Sequence, residues 1–350
     1  MWQIIGQERA VALLRRSLKS GSLAHAYLFV GPAHVGKMTL ALNLAQALNC
    51  GDTEAPCGIC ASCSRIASGN HADVQVIALG QGNQADSSST TEISIEQVRQ
   101  LQHSANLPPF EGKYKVFIID GAELLSSEAA NCLLKTLEEP ASKVIFILLT
   151  ANERRLLATV TSRCQRIELL PMSTAAIETA LKKERGIEPA KARLLARLSH
   201  GCPGWAISAA SNDSLLQQRT ERLDELLTIV GADYETRFDY ASRWVAQSSQ
   251  NRRLIQDRLD LWLDWWRDLL LVKSGLSDNI TNTDRLAWLN GLGKSYSLAQ
   301  IRTVINGIQA AGDQLRQNAN PQLALEVFML SLPETGKSGS GKQTSQIMVN

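Results

Sequence analysis

Residues 31–39 read Gly31-Pro32-Ala33-His34-Val35-Gly36-Lys37-Met38-Thr39, one residue short of the phosphate-loop pattern G-x-x-x-x-G-K-[ST]. An apolar run, AYLFVG (26–31), leads into this stretch. A helical pattern over 37–49 leads out, with Leu40, Ala41, Leu44, Ala45 and Leu48 on one face. A loop of this kind works because consecutive backbone N–H groups at a helix N-terminus cradle phosphate oxygens while the lysine reaches the terminal phosphates. Residues 31–39 are therefore the candidate nucleotide-binding segment. Met38 stands where a hydroxyl normally ligates Mg²⁺, and a thioether is a poor ligand for so hard a cation. Thr39 offers a hydroxyl one residue later, but about 100° further round the helix. It is better placed to touch a phosphate oxygen than to replace the metal ligand.

Outward from this loop, strand-like apolar runs alternate with amphipathic helical patterns up to about residue 170. The runs are AYLFVG (26–31), DVQVIAL (73–79), KVFIID (115–120), VIFILLT (144–150) and QRIELL (165–170). Short continuous runs of this kind separated by helices predict a parallel sheet covered on both faces, an α/β nucleotide-binding type of domain over residues 1–171. Pro171 closes the last run. Ser173 is a plausible N-cap for a helix ending at Gly186, and a small helical domain follows over 172–213. From 214 to 333 the pattern is all helix, with tryptophans at 244, 262, 265, 266 and 288. The spacing of Trp262, Trp265 and Trp266 fits a packed helix face better than a base-stacking patch. The Gly/Ser/Lys-rich tail 334–350 reads as disordered.

The run 115–120 ends at Asp120, placed like the acid that holds Mg²⁺ through water in phosphate-loop ATPases. Gly121 follows where a water-polarising glutamate often stands. Glu123, two residues on, reads as a solvated or helix-capping acid. Nucleotide, ATP or ADP, can still bind such a loop, but hydrolysis is not expected. Cys50, Cys57, Cys60 and Cys63 lie in CGDTEAPCGICASC, four thiols in fourteen residues with two C-x-x-C steps sharing Cys60. That spacing suits a structural, tetrahedral Zn²⁺ with no open position for catalysis. Cys132, Cys164 and Cys202 are isolated and read as small core residues.

Composition narrows the function classes. Hydrophobic residues make up 44% and charged residues 20% of 350 residues, the profile of a globular chain of two or three domains. A net charge of +2 gives no case for bulk nucleic-acid or membrane binding. The N-terminal stretch MWQIIGQERA lacks the pattern of a signal peptide, and no run is long enough to span a bilayer, so a cytoplasmic setting with reduced thiols is expected.

Several segments together resemble the AAA+ subunits of the bacterial DNA polymerase III clamp loader. They are IIGQERAV (4–11) with HAYLFVGP (25–32), the four-cysteine insertion after the loop helix, LLKTLEEPASKVIFILLT (133–150), SRC (162–164) and NPQLALEVFMLSL (320–332). Within that family the zinc insertion is shared by the gamma/tau motor and the delta-prime branch. Met38, Gly121 and Gly204 depart from the motor, the last standing in GCPGWA (201–206) where a sensor arginine would be; the chain resembles the delta-prime branch. The resemblance implies a largely non-hydrolysing subunit whose residues 214–333 form an oligomerisation collar. Its partners would be gamma/tau and delta subunits and, through the assembled complex, the sliding clamp and primer-template DNA. It makes Arg163, in Ser162-Arg163-Cys164, an arginine finger for a neighbour's ATP site, and Thr150 a sensor-1 position. A motor using Thr39 and Glu123 is the first alternative, and a zinc-dependent nucleic-acid adaptor the second. The sequence shows no carboxylate set for nucleotidyl transfer, so it does not support polymerase chemistry in this chain itself; the resemblance implies that activity only by association with the DNA polymerase III holoenzyme.

Overall fold

The computed structural model describes residues 2–80, 92–247, 252–317 and 319–333; the tail 334–350 lies outside the described residues. The chain divides into two compact units, Met1–Ser211 and the part beginning at Asn212.

The first unit is built on β1 (Ala26–Val30), β2 (Val74–Ile77), β3 (Lys115–Asp120), β4 (Val144–Thr150) and β5 (Gln165–Glu168). They form one parallel sheet in the order β2-β3-β4-β1-β5. The helices are α1 (Glu8–Ser20), α2 (Lys37–Asn49), α3 (Ala61–Ala67), α4 (Ile95–Ala105), α5 (Ser127–Glu138), α6 (Ala158–Thr161), α7 (Thr174–Arg185), α8 (Pro189–Leu198) and α9 (Pro203–Ser211). Continuous apolar strands arise because both sheet faces are covered. Tyr27, Phe29, Ile118, Ile147 and Leu149 pack with α1 and α2, while Leu28, Phe117, Ile119, Phe146 and Leu148 pack with α4 and α5. This is the α/β phosphate-loop architecture expected of the AAA+ class. The strands are shorter than the apolar runs at β2 and β5, where the runs continue into connections.

Ser173 caps α7 through the Ala176 N–H, and Gly186 ends it in the left-handed conformation that glycine adopts freely. Helices α7 to α9 cluster with the first unit.

The second unit comprises α10 (Asp213–Val230), α11 (Tyr234–Gln247), α12 (Arg252–Lys273), α13 (Leu286–Ser295), α14 (Leu298–Arg316) and α15 (Pro321–Leu330). Trp244, Trp262, Trp265 and Trp266 are buried among these helices. The Trp262 ring stands edge-on to Phe328 at 5.4 Å, and Trp266 lies 5.5 Å from Tyr296. The tryptophan face is thus a helix interface; Trp288 alone of the five is exposed. Buried Arg237 donates to the carbonyls of Ile229, Val230, Leu332 and Pro333, tying the end of the described chain to the end of α10. Among the described residues, no helix is long and apolar enough to cross a membrane.

Candidate functional site

The C-terminal ends of β1, β3 and β4 converge where ligands bind in parallel α/β sheets. Val30 is in register with Thr150, and Asp120 with Leu149, so the loop, Asp120 and Thr150 lie along one edge of the sheet. The Gly31 N–H donates to the Thr150 carbonyl at 3.1 Å. A Cβ on Gly31 would sit 2.5 Å from the Leu169 carbonyl, so only glycine fits between the strands. Gly36 has φ +109°, open to glycine alone, and His34 takes a left-handed φ of +61°. Pro32 is exposed, Ala33 half-buried, and Val35 is fully buried in the core.

This loop is closed upon itself. The Lys37 ammonium donates to the carbonyls of Gly31 at 2.7 Å and Pro32 at 2.8 Å. From above, the Gly204 N–H in the first turn of α9 donates to the His34 carbonyl at 2.9 Å. A Cβ on Gly204 would come within 2.7 Å of that same oxygen. A residue with a side chain, arginine included, therefore fits at 204 only if α9 or the loop moves. Ile4 presses on the loop from another side, 3.2 Å from where a Cβ on Gly36 would lie. Met38 packs against the apolar cluster of the first unit, and Thr39 points to the exposed side.

Asp120 is exposed at the end of β3. Thr150 is fully buried, and its hydroxyl accepts the Asn152 N–H at 3.0 Å. Glu123 corrects the reading of it as a solvated or capping acid. One of its oxygens accepts the Ala151 N–H at 3.1 Å, and the other is buried without a partner among the described residues. The acid spans from the turn after β3 to the end of β4, because the short 3₁₀ turn Ala122–Leu124 directs it across the sheet edge.

The four thiols of Cys50, Cys57, Cys60 and Cys63 lie within 4.8 Å of one another and can hold a metal ion. Cys50 and Cys60 approach to 4.0 Å, as do Cys57 and Cys63, close to the ~3.8 Å between sulfurs around a tetrahedral ion with 2.3 Å bonds. Backbone amides point at the sulfurs: Asp52 to Cys50, Cys60 to Cys57 and Cys63 to Cys60. The amides of Cys60 and Ile59 bring the Cys57 thiol down to about 6, while burial pushes Cys63 up to about 12. Gln46 holds the Cys63 carbonyl, and Lys113 holds that of Cys50. Of the other cysteines, Cys202 is buried and the thiol of Cys164 is raised to about 12 by burial. Cys132 donates to the Gln102 side chain.

Arg163 lies between α6 and β5. Its guanidinium donates to the Thr159 carbonyl at 2.9 Å and pairs with Glu138 at 2.6 Å, remaining 34% exposed. The sequence alone assigned no role to Glu138, although its acidic pair with Glu139 stands out at the end of an amphipathic helix. Asp73 was also missed. It is a buried acid whose carboxylate accepts the N–H groups of Phe110, Glu111 and Gly112. Nothing near it in sequence signals that loop.

Comparison with known proteins agrees with this arrangement. Residues 6–173 match the family model described as DNA polymerase III, delta subunit, and residues 213–334 the one described as DNA polymerase III, delta subunit, C terminal. The DNA polymerase III subunit delta' of Bacillus subtilis (strain 168) is 31% identical over 330 residues, covering 94% of this chain and 96% of that protein. The DNA polymerase III subunit tau of Escherichia coli (strain K12) is 37% identical over 212 residues, 59% of this chain but only 31% of tau. A solved gamma-subunit-related protein of DNA polymerase III from Thermotoga maritima superposes with a TM-score of 0.42 at 17% identity, over 93% of this chain and 98% of that one. The end-to-end match to a delta' subunit and the two delta-type domain models lead to one family: the chain belongs to the delta-prime family of DNA polymerase III subunits.

Proposed function

We propose that this chain is a stator of the clamp loader: it does not hydrolyse ATP, and it supplies Arg163 in trans to the ATP site of a neighbouring gamma/tau-type subunit. The observation that carries this reading is the closed phosphate loop. Its lysine donates to the Gly31 and Pro32 carbonyls, and the Gly204 N–H sits so close to the His34 carbonyl that a sensor arginine at 204 would not fit. Hydrolysis by this subunit would require the metal-ligating hydroxyl and the sensor arginine, whose positions hold Met38 and Gly204. Asp120 and Thr150 keep their places at the sheet edge, so a retained ATP or ADP would be a structural ligand. Arg163 is half-buried, permanently charged and held in a defined orientation by Glu138 and the Thr159 carbonyl. A guanidinium of that kind stabilises charge developing on a transferring phosphoryl group.

The four cysteines are assigned to a structural Zn²⁺. All four tetrahedral positions would be protein sulfurs, so the ion would brace the module and carry no chemistry. The collar role rests on α15, where Leu323, Val327 and Leu330 form a stripe at i, i+4 and i+7 exposed by 61%, 61% and 55%. The opposite face, with Ala324, Leu325, Phe328 and Met329, is buried. An apolar stripe of this kind fits the collar helices of gamma/tau and delta partners. The sliding clamp and primer-template DNA would be engaged through the assembled complex, in the cytoplasm. Replacing Arg163 by alanine in the reassembled complex tests the reading: ATPase activity should fall, and an unchanged rate would remove the finger role.

A further inference from the structure

We infer that Glu138 is the positioning residue for Arg163, holding the guanidinium in its reactive orientation before a neighbour's nucleotide arrives. The inference rests on the reading of Arg163 as a trans finger and goes beyond it by naming what aims the finger.

The geometry has three parts. Glu138 is the last residue of α5, and its Oε1 lies 2.6 Å from Arg163 Nη2. Thr159, in the single turn of α6, offers its carbonyl to Nη1 at 2.9 Å. The Arg163 N–H itself donates to the Val160 carbonyl, fixing the backbone from which the side chain springs. The guanidinium is thus gripped at both terminal nitrogens by two different helix ends. It carries five N–H groups in one plane, and these two contacts leave the others for a phosphate.

A carboxylate at the C-terminal end of a helix faces the negative end of the helix dipole, an unfavourable place for it alone. A guanidinium beside it relieves both charges. With Glu138 49% and Arg163 34% exposed, the pair contributes little to folding stability. Its consequence is orientational. A free arginine side chain samples many rotamers, and restricting them in advance lowers the entropic cost of reaching the transition state. An effect of that kind appears in kcat, because the finger engages charge that develops during phosphoryl transfer rather than ground-state nucleotide.

The test uses the reassembled complex, with ATPase measured under stimulation by clamp and primed DNA, on Glu138→Ala, Glu138→Gln, Arg163→Ala and the double variant. Glu138→Ala should lower kcat by about tenfold, within the range that misplacement of a catalytic group produces, and leave KM for ATP unchanged. Glu138→Gln keeps an acceptor oxygen in place and should retain most of the rate. In the Arg163→Ala background, Glu138→Ala should cause no further loss. Equal losses in both backgrounds would mean that Glu138 acts on the fold, and a gain in rate with Glu138→Ala would make it a latch; either overturns the inference. If Arg163→Ala lowers the rate and Glu138→Ala does not, only this inference falls. If Arg163→Ala has no effect, the finger reading falls and takes the positioning role with it.

Discussion

Asp73 shows how one buried charge sets local structure in this chain. Burial alone would raise its pKa, but the amides of Phe110, Glu111 and Gly112, at 2.7 to 2.8 Å, outweigh it and hold the carboxyl below the usual range. A depressed folded-state value gives stability that is fully present above the unfolded pKa, about 3.9, and is lost as pH falls through the folded value. Asp73→Asn places an amide against three N–H donors and should destabilise the fold by about 3 kcal/mol at neutral pH. In denaturant unfolding, the difference between the variant and the parent should shrink below about pH 4. A difference that stays constant with pH would refute the account of Asp73. The same loop continues to Lys113 and Tyr114, which hold the Cys50 carbonyl and the Asn49 side chain, so this acid also steadies the entry to the thiol cluster.

Two elements carry the assembly and metal proposals. The thiol module is a turn and a short helix, α3, with Ile59 at its tip 89% exposed and little core of its own. Its order should therefore depend on an ion. Metal analysis of the purified chain should return one zinc per chain, with Cys57→Ser lowering that value, and a metal-free chain with a fully ordered module would contradict the assignment. On α15, changing Leu323, Val327 and Leu330 together to serine removes apolar area without touching the buried face. The isolated chain should keep its melting temperature while co-purification with gamma/tau-type and delta-type partners weakens at least tenfold. Undiminished co-purification would place the collar contact on another helix.

At the scale of the whole molecule, what was legible in the sequence follows the range of the interactions. The five strands were legible because both sheet faces are buried and each run is continuously apolar. The thiol cluster was legible because its ligands are neighbours in the chain. The tryptophan core of α11 and α12 showed in its helical spacing. The pairs Gly204–His34, Asp73–Phe110 and Glu138–Arg163 were not legible, because each joins segments that only the folded sheet brings together. Glu123 was misread for the same reason: its partner, Ala151, follows another strand. The resulting molecule keeps the phosphate-loop frame while closing the loop, and holds a half-buried, oriented arginine elsewhere. The proposed stator serves a neighbour's nucleotide rather than its own. The most direct test compares the ATPase of complexes reassembled with Lys37→Ala and with Arg163→Ala. The account predicts a rate near that of the parent for Lys37→Ala and a loss of at least tenfold at the neighbouring site for Arg163→Ala, given the 10³–10⁵-fold worth of such fingers. The reverse pattern, activity lost with Lys37→Ala and kept with Arg163→Ala, would contradict it and make the chain a motor.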